Sequence, residues 1–289
     1  MAGDKNMDEP STPFKKTFLT DKQFNQLAAF IKKELGIEMP VTKKTMLEAR
    51  LQKRIRLLHL GSHDEYFNFL FSDAGMKSEY THLVSSVTTN TTNFFREPKH
   101  FDILTEIVLP EIQKKKGRNA QVKLWSAGCS SGEEPYTLAM VMSEYKHGNM
   151  GFNFSINATD ISQKVLQEAA KAIYSEDKIG PVPPQMKKKY LLRSKDRSKK
   201  LIRIVPELRR TINFGRLNFM DDFKLPHKFN IIFCRNVVIY FDRETQGKLF
   251  HKFCSHLEPG GFLFIGHSES VTGLGLPVEQ IAPTVFRKI

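Results

Sequence analysis

The sequence predicts an α/β fold: a doubly wound, largely parallel sheet, preceded by a small all-helical domain and interrupted by a small antiparallel β-insertion. Three observations carry that expectation. Up to about residue 88 the apolar residues recur at helical spacing. From Val122 onward, short apolar runs alternate with helical stretches. Residues 185–216 then break the alternation with short β-prone pieces.

Taken in order, residues 1–19 mix Pro, Ser, Thr and charge and read as a disordered tail. Thr20 and Gln23 form a capping box for a first helix, with Phe24, Leu27, Ala28, Ile31 and Leu35 on one face and Gly36 closing it. A second helix is expected from about Lys43 to Leu60, with Met46, Leu47, Leu51, Ile55 and Leu58 inward and Gly61 as its stop. Ser62 and Glu65 make another box before Tyr66, Phe67 and Leu70, and a fourth helix carries Tyr80, Leu83, Val84 and Val87. The domain so defined covers 20–88. The stretch 89–98, within TTNTTNFFREP, is rich in turn-formers and reads as a linker, with Pro98 suited to the first turn of the next helix.

The sheet domain occupies 99–289. VKLWSAG (122–128) and FSINATD (154–160) are its first strands, followed by the helical stretches GEEPYTLAMVMSEY and SQKVLQEAAKAIY. FNIIFCRN (229–236), the helix at 245–257, the turn Pro259–Gly260–Gly261, FLFIG (262–266) and TVFRKI complete the alternation. Between them KKYLLR, KLIRIV and TINFGRLN, separated by SKDRSKK and Pro206–Glu207, are expected to form a two- or three-stranded antiparallel excursion at about 185–216.

The chain carries 44 basic and 31 acidic residues, net +13, which calls for an acidic partner: nucleic acid, a membrane surface or an acidic protein. The excess is local. Residues 185–216 hold 12 basic against 2 acidic residues, while 91–184 hold 11 of each. A smaller cluster, Lys43, Lys44, Arg50, Lys53, Arg54 and Arg56, faces only Glu48. Three cysteines at unrelated spacings, Cys129, Cys234 and Cys254, exclude a disulfide framework and a Cys-rich metal site, and no metal is implied. No apolar run is long enough to span a membrane and no secretory leader is evident, so a cytoplasmic protein is expected.

The turn after the first strand reads Gly128-Cys129-Ser130-Ser131-Gly132-Glu133-Glu134-Pro135. A dinucleotide-binding turn needs three glycines spaced for close approach to a pyrophosphate. Here there are two, and two carboxylates stand where a phosphate would be repelled. A cationic, unphosphorylated adenosine ligand fits better, and S-adenosylmethionine meets those conditions. Asp160 ends the second strand, where an acid takes ribose hydroxyls. Arg235 and Asn236 follow the apolar strand FNIIF, and so fall at the carboxyl edge of the sheet. Cys129 in the turn is either a packing residue or a site of thiol sensitivity.

TTNTTNFFRE, CSSGEEPY, the ATDIS block and FCRNVVIYFD, in that order, resemble the chemotaxis receptor methyltransferases of the CheR type, over almost the whole chain from about residue 20. The resemblance implies a class I S-adenosylmethionine-dependent fold and a protein-glutamate O-methyltransferase that acts on chemoreceptors. It implies that Asn90, Thr92 and Arg96 contact the cofactor, that Glu134 holds its amino-acid end and Asp160 its ribose, and that Asn218, Phe219, Arg235 and Asn236 line its adenosine and methionine. Arg96 and Tyr240 would flank the transferred methyl. The Arg-rich N-terminal helix, with Arg50, Lys53, Arg54 and Arg56, would dock on the receptor's cytoplasmic methylation helices. The β-insertion of such enzymes can bind a peptide at the receptor's C-terminus. Peptide-binding members carry glycines in the insertion's first turn, whereas Ser194–Lys200 here has none; strand addition stays open. A monomer is the default expectation.

A glutamate carboxylate has a reference pKa near 4.3, so it is already an anionic nucleophile at neutral pH and needs no general base. That suits a site where His227 and His267 stand isolated and read as structural. Two other readings are a nucleic-acid methyltransferase and a non-catalytic cofactor-sensing adaptor on acidic helices. The first lacks the prolines and stacking aromatic that base methyltransferases place where Arg235-Asn236-Val237-Val238 stands.

Overall fold

The computed structural model describes residues 18–289. The expected tail therefore lies outside the described residues except for its last two. Leu19 is buried and its N–H donates to Glu48 at 2.9 Å, so ordered packing begins before Thr20. The chain divides into two compact units: one comprises residues up to Lys33 together with Met39–Val87, the other Glu34–Glu38 and Thr88–Ile289.

The smaller unit holds α1 (Asp21–Leu35, its last two residues counted with the larger unit), α2 (Lys44–Leu57), α3 (His63–Leu70), α4 (Asp73–Ser78) and α5 (Tyr80–Val87). Both capping boxes form at their N-cap serine or threonine: Gln23 N–H donates to Thr20 Oγ1 at 3.2 Å, and Glu65 N–H to Ser62 Oγ at 3.1 Å. The core is Phe24, Leu27, Ile31, Leu47, Leu51, Ile55, Tyr66, Leu70, Leu83 and Val84. The second helix ends at Leu57, short of Leu60. The extra helix α4 is capped by Ser72 and has a glycine in its middle, Gly75, where a Cβ would lie 1.8 Å from the Phe69 carbonyl oxygen. That glycine hid the helix from pattern reading.

In the larger unit, α6 (Lys99–Ile103) runs through one wide turn, Leu104–Val108, into α7 (Leu109–Lys116). Pro110 has no N–H to return to the preceding turn, which accounts for the local π geometry. There follow β1 (Gln121–Ala127), α8 (Glu133–Gly148), β2 (Asn153–Asp160), α9 (Gln163–Lys171), β3 (Ile173–Ser175), α10 (Pro184–Tyr190), β4 (Leu191–Arg193), β5 (Leu201–Ile204), α11 (Pro206–Arg209) and β6 (Ile212–Arg216). Then come β7 (Phe229–Cys234), α12 (Arg243–His256), β8 (Leu257–Ile265), β9 (Val278–Ala282) and β10 (Val285–Lys288). The main sheet has the order β6-β2-β1-β7-β8-β10-β9, with β10 alone running against its neighbours. Strand order reverses between β1 and β7, so the crevice of this doubly wound sheet opens at their carboxyl ends. Among the described residues no helix is long and apolar enough to cross a membrane.

The insertion differs from the expectation over 185–216. TINFGRLN is not part of it: β6 joins the main sheet, parallel to β2 from Ile156↔Ile212 to Asp160↔Arg216. The small sheet, ordered β3-β5-β4, takes its third strand from Ile173–Ser175 instead. The sequence pattern assigns Ile173 and Tyr174 to the end of a helix, but α9 stops where Ala172 turns left-handed at φ 55°. Three residues are too few to display a strand period. The basic residues of 185–216 are therefore spread over α10, the small sheet, α11 and β6. The Pro259–Gly260–Gly261 turn lies inside β8, where pairing with β7 shifts register; TVFRKI forms β10, as expected, but it pairs in a hairpin with β9, which the sequence pattern does not reveal.

Candidate active site

The turn Gly128–Gly132 connects β1 to α8 at the switch point. Gly128 has φ 85°, and a Cβ there would sit 2.4 Å from Val237 Cγ2; this is where the turn meets the segment leaving β7. Gly128 and Cys129 donate their N–H groups to the Thr159 carbonyl at 2.8 and 2.9 Å, which lashes the turn to the end of β2. Ser130 N–H donates to Asp160 Oδ2 at 2.8 Å, and Ser162 N–H to Oδ1 at 2.9 Å. Burial pushes the Asp160 carboxyl up, and these backbone donors pull it partly back. Ser130 Oγ donates to the Asn90 carbonyl at 2.9 Å, so the 88–98 segment is tied to the same turn.

Glu134, at the start of α8, is buried and accepts from Ser126 Oγ at 2.6 Å and Arg235 Nε at 2.8 Å. Arg235 is the hub of this edge. Its Nη1 donates to the Arg96 carbonyl at 2.7 Å and to His100 Nδ1 at 3.1 Å, and lies 3.6 Å from Glu97 Oε2. Its guanidinium carbon sits 5.4 Å from the Phe101 ring centre and 5.5 Å from that of Phe233. His100 is held neutral, its pKa pushed down to about 4 by burial first and then by Arg235. Asn236 turns left-handed at φ 59°, its amide 3.4 Å from Glu97 Oε1. The Tyr240 carbonyl accepts from Glu38 N–H at 2.8 Å at the end of the 3-10 turn Val238–Tyr240.

Ligand atoms of Glu97, His100 and His267 lie within 4.8 Å of one another, a grouping of metal-ligand type. The Arg235 guanidinium already supplies the cation beside two of them.

Of the residues expected at the site, Asn90, Arg96, Glu134, Asp160, Arg235 and Asn236 are linked by the bonds above, and Thr92 lies on the 88–98 segment. The Arg96 guanidinium donates to the Thr91 carbonyl at 3.0 Å. Asn218 is a turn-former: its amide donates to the Glu34 carbonyl at 2.8 Å, and its Oδ1 accepts from Met220 N–H. The Phe219 ring belongs to an aromatic cluster with Trp125, Phe223 and Phe253, so its side chain serves the core. His227 packs on Phe229, while His267 is exposed and its N–H donates to Glu97 at 3.2 Å. Sequence reasoning missed Ser126, Glu97, His100 and Glu269. Glu97 adjoins Arg96, a residue already singled out; Ser126 and Glu269 carry no signal beyond their place near strand ends, and His100, in α6, carries none.

The basic residues of α2 divide by environment. Arg54 forms a two-pronged pair with Glu79, Nε to Oε1 at 2.7 Å and Nη2 to Oε2 at 2.7 Å, and Tyr66 Oη adds a third bond to that buried carboxylate. Arg50 donates to the Ser86 carbonyl at 2.8 Å. Lys53 and Arg56 are exposed.

A cofactor fits this donor set. The turn carries no basic residue, Asp160 ends β2 on one side of it and Glu134 opens α8 on the other, and Gly128 leaves no room for a side chain. Comparison with known proteins agrees. The family described as CheR methyltransferase, SAM binding domain, matches residues 90–285, and the CheR methyltransferase all-alpha domain matches 22–88. A chemotaxis protein methyltransferase of Borreliella burgdorferi is 40% identical over 274 residues, covering 93% of this chain and 95% of that protein. A chemotaxis protein methyltransferase of Escherichia coli is 34% identical over 269 residues, 93% of this chain and 91% of that protein. A probable one of Rhizobium etli is 37% identical over 255 residues, 88% and 95% of the two chains. The chain with a glycine turn between a carboxylate ending one strand and another opening the next helix thus belongs to the CheR family of chemotaxis methyltransferases, with an S-adenosylmethionine-binding domain following an all-helical one in sequence.

Proposed function

We propose that the protein is a protein-glutamate O-methyltransferase that converts glutamate side chains on the cytoplasmic helices of chemoreceptors to methyl esters. The observation that carries this reading is the Gly128–Gly132 turn with Asp160 at the end of β2 on one side and Glu134 at the start of α8 on the other, tied to the 88–98 segment through Ser130 and Asn90 and through Arg235 and the Arg96 carbonyl. Bound in the crevice, S-adenosylmethionine supplies an electrophilic methyl group on a sulfonium.

In this proposal Asp160 takes the ribose hydroxyls. Glu134, aimed by Ser126 and Arg235, takes the α-amino group. Asn90, Thr92 and Asn236 line the remainder, with Asn218 and Phe219 contributing main chain near the adenosine. Arg96 holds the acceptor carboxylate and Tyr240 orients it. The acceptor is an anion without help, so the protein's task is alignment of the reacting atoms and exclusion of water, worth up to roughly 7–11 kcal/mol. Lys53 and Arg56 on α2 face the acidic receptor helices. The β3–β5–β4 sheet leaves β3 and β4 with a strand partner on one side only, which suits addition of a receptor-tail peptide.

The test is incubation of receptor membranes with labelled methyl donor, followed by release of methanol in base. Base-labile label is expected with the wild type. Tyr240→Phe should bind S-adenosylhomocysteine normally by calorimetry yet turn over at least tenfold more slowly, and Arg96→Ala should lose more in turnover than in S-adenosylhomocysteine affinity. Full activity in both variants removes these roles, and cofactor binding without any methanol release leaves a cofactor-sensing adaptor.

A further inference from the structure

The segment that leaves β7 is held by a residue far along the chain. Val237 and Val238 donate their N–H groups to Glu269 Oε1 at 2.8 and 2.9 Å, and Gly266 N–H donates to Glu269 Oε2 at 2.6 Å. Glu269 comes from the loop after β8 and is buried. Among the described residues no cation pairs with it, so this carboxylate is held by backbone donors. Gly266 keeps the approach open: a Cβ there would lie 2.7 Å from Asn236 Nδ2, 2.9 Å from Asn236 N and 3.0 Å from Glu269 Oε2.

Burying an unpaired anion costs several kcal/mol, and a hydroxyl or amide would suffice to end a strand. Such a carboxylate is retained where several donors must be held at fixed angles at once. The turn it holds begins at Asn236, in a left-handed conformation, and ends at Tyr240.

We propose that Glu269 is a positioning residue for methyl transfer: by gathering the N–H groups of Val237, Val238 and Gly266 it fixes where the 236–240 turn presents Asn236 and Tyr240 to the reacting atoms. This rests on the reading of Tyr240 given above. A displacement of about 1 Å at such a turn can cost a hundredfold in rate. Glutamine at 269 keeps the shape but turns an amide N–H toward backbone donors. Aspartate keeps the charge but withdraws it by one methylene.

The experiment compares Glu269→Gln, Glu269→Asp, Tyr240→Phe and the double variant Glu269→Gln/Tyr240→Phe in the full chain. Methyl transfer is measured at saturating donor, and S-adenosylhomocysteine affinity by calorimetry. Glu269→Gln is expected to lower kcat at least about thirtyfold and cofactor affinity no more than about threefold, with Glu269→Asp more active than Glu269→Gln. Added to Tyr240→Phe, Glu269→Gln should cost less than about threefold more, because both changes act through one turn. Retention of kcat by Glu269→Gln overturns the proposal, as does the same fold loss in both backgrounds. If Glu269→Gln does not fold, Glu269→Asp runs the same cycle. If Tyr240→Phe alone keeps full activity, the reading of Tyr240 fails, and the positioning role is decided by the same cycle in an Asn236→Ala background.

Discussion

At the residue scale the molecule's carboxyl edge is governed by Arg235, whose one charge serves Glu134, Glu97 and the lone pair of His100 Nδ1. An imidazolium at His100 would face that guanidinium inside the core, so the ring stays neutral until about pH 4. In the unfolded chain it titrates near 6.5. As pH falls, the unfolded state therefore binds the proton first. The stability carried by the neutral ring is complete above about 6.5 and is lost between about 6.5 and 4, amounting to about 3 kcal/mol. Urea midpoints measured from pH 7 to pH 4.5 should fall steadily for the wild type, and His100→Asn should flatten the slope. An unchanged slope in that variant excludes His100 as the cause. This part of the site was not legible beforehand: Arg235 was singled out as a cofactor ligand, and its duties to Glu97 and His100 depend on side chains more than 130 residues away.

At the element scale the β1–α8 turn is the best-determined piece of the site. Gly128 is needed twice over, by its φ of 85° and by the 2.4 Å approach of Val237 to the place of a Cβ. Gly128→Ala strains the turn and pushes on the segment that carries Asn236. It should weaken S-adenosylhomocysteine binding at least tenfold while thermal unfolding shows a cooperative fold, at a cost of about 1–3 kcal/mol. Wild-type affinity in calorimetry counts against this account. The turn was readable because its chemistry is written in adjacent residues, two glycines followed by two acids. The small sheet was not. Its strands are three or four residues long, and one of them, Ile173–Ser175, follows a helix with only Ala172 between. Pairing between distant short segments leaves no period to detect. β6 was misassigned for the same reason, since nothing local distinguishes an edge strand parallel to β2 from a third hairpin strand.

At the scale of the whole molecule the net charge of +13 separates into cations with structural work and cations facing water. On α2, Arg54 belongs to the first kind and Lys53 to the second. Arg54→Ala leaves Glu79 buried without its partner and should destabilise the helical unit by about 3–5 kcal/mol. Lys53→Glu should leave unfolding and cofactor affinity unchanged. It should slow receptor methylation, with a weaker dependence on salt than the wild type. Equal methylation rates across ionic strength would remove α2 as the docking face. Sequence reading found the cluster but could not sort it, because Glu79 lies 25 residues from Arg54 and reads as one more surface acid.

The burial of Cys129 adds an experimental handle on the glycine turn. Its thiol is buried, and desolvation first, then Asp160 and Glu134, push its pKa well up. Only the thiolate reacts with alkylating reagents. Reaction therefore waits until the turn opens to water, and the labelling rate becomes a clock for that opening. A ligand that closes the crevice should slow the clock at Cys129 and leave Cys254, on α12, ticking at its own pace.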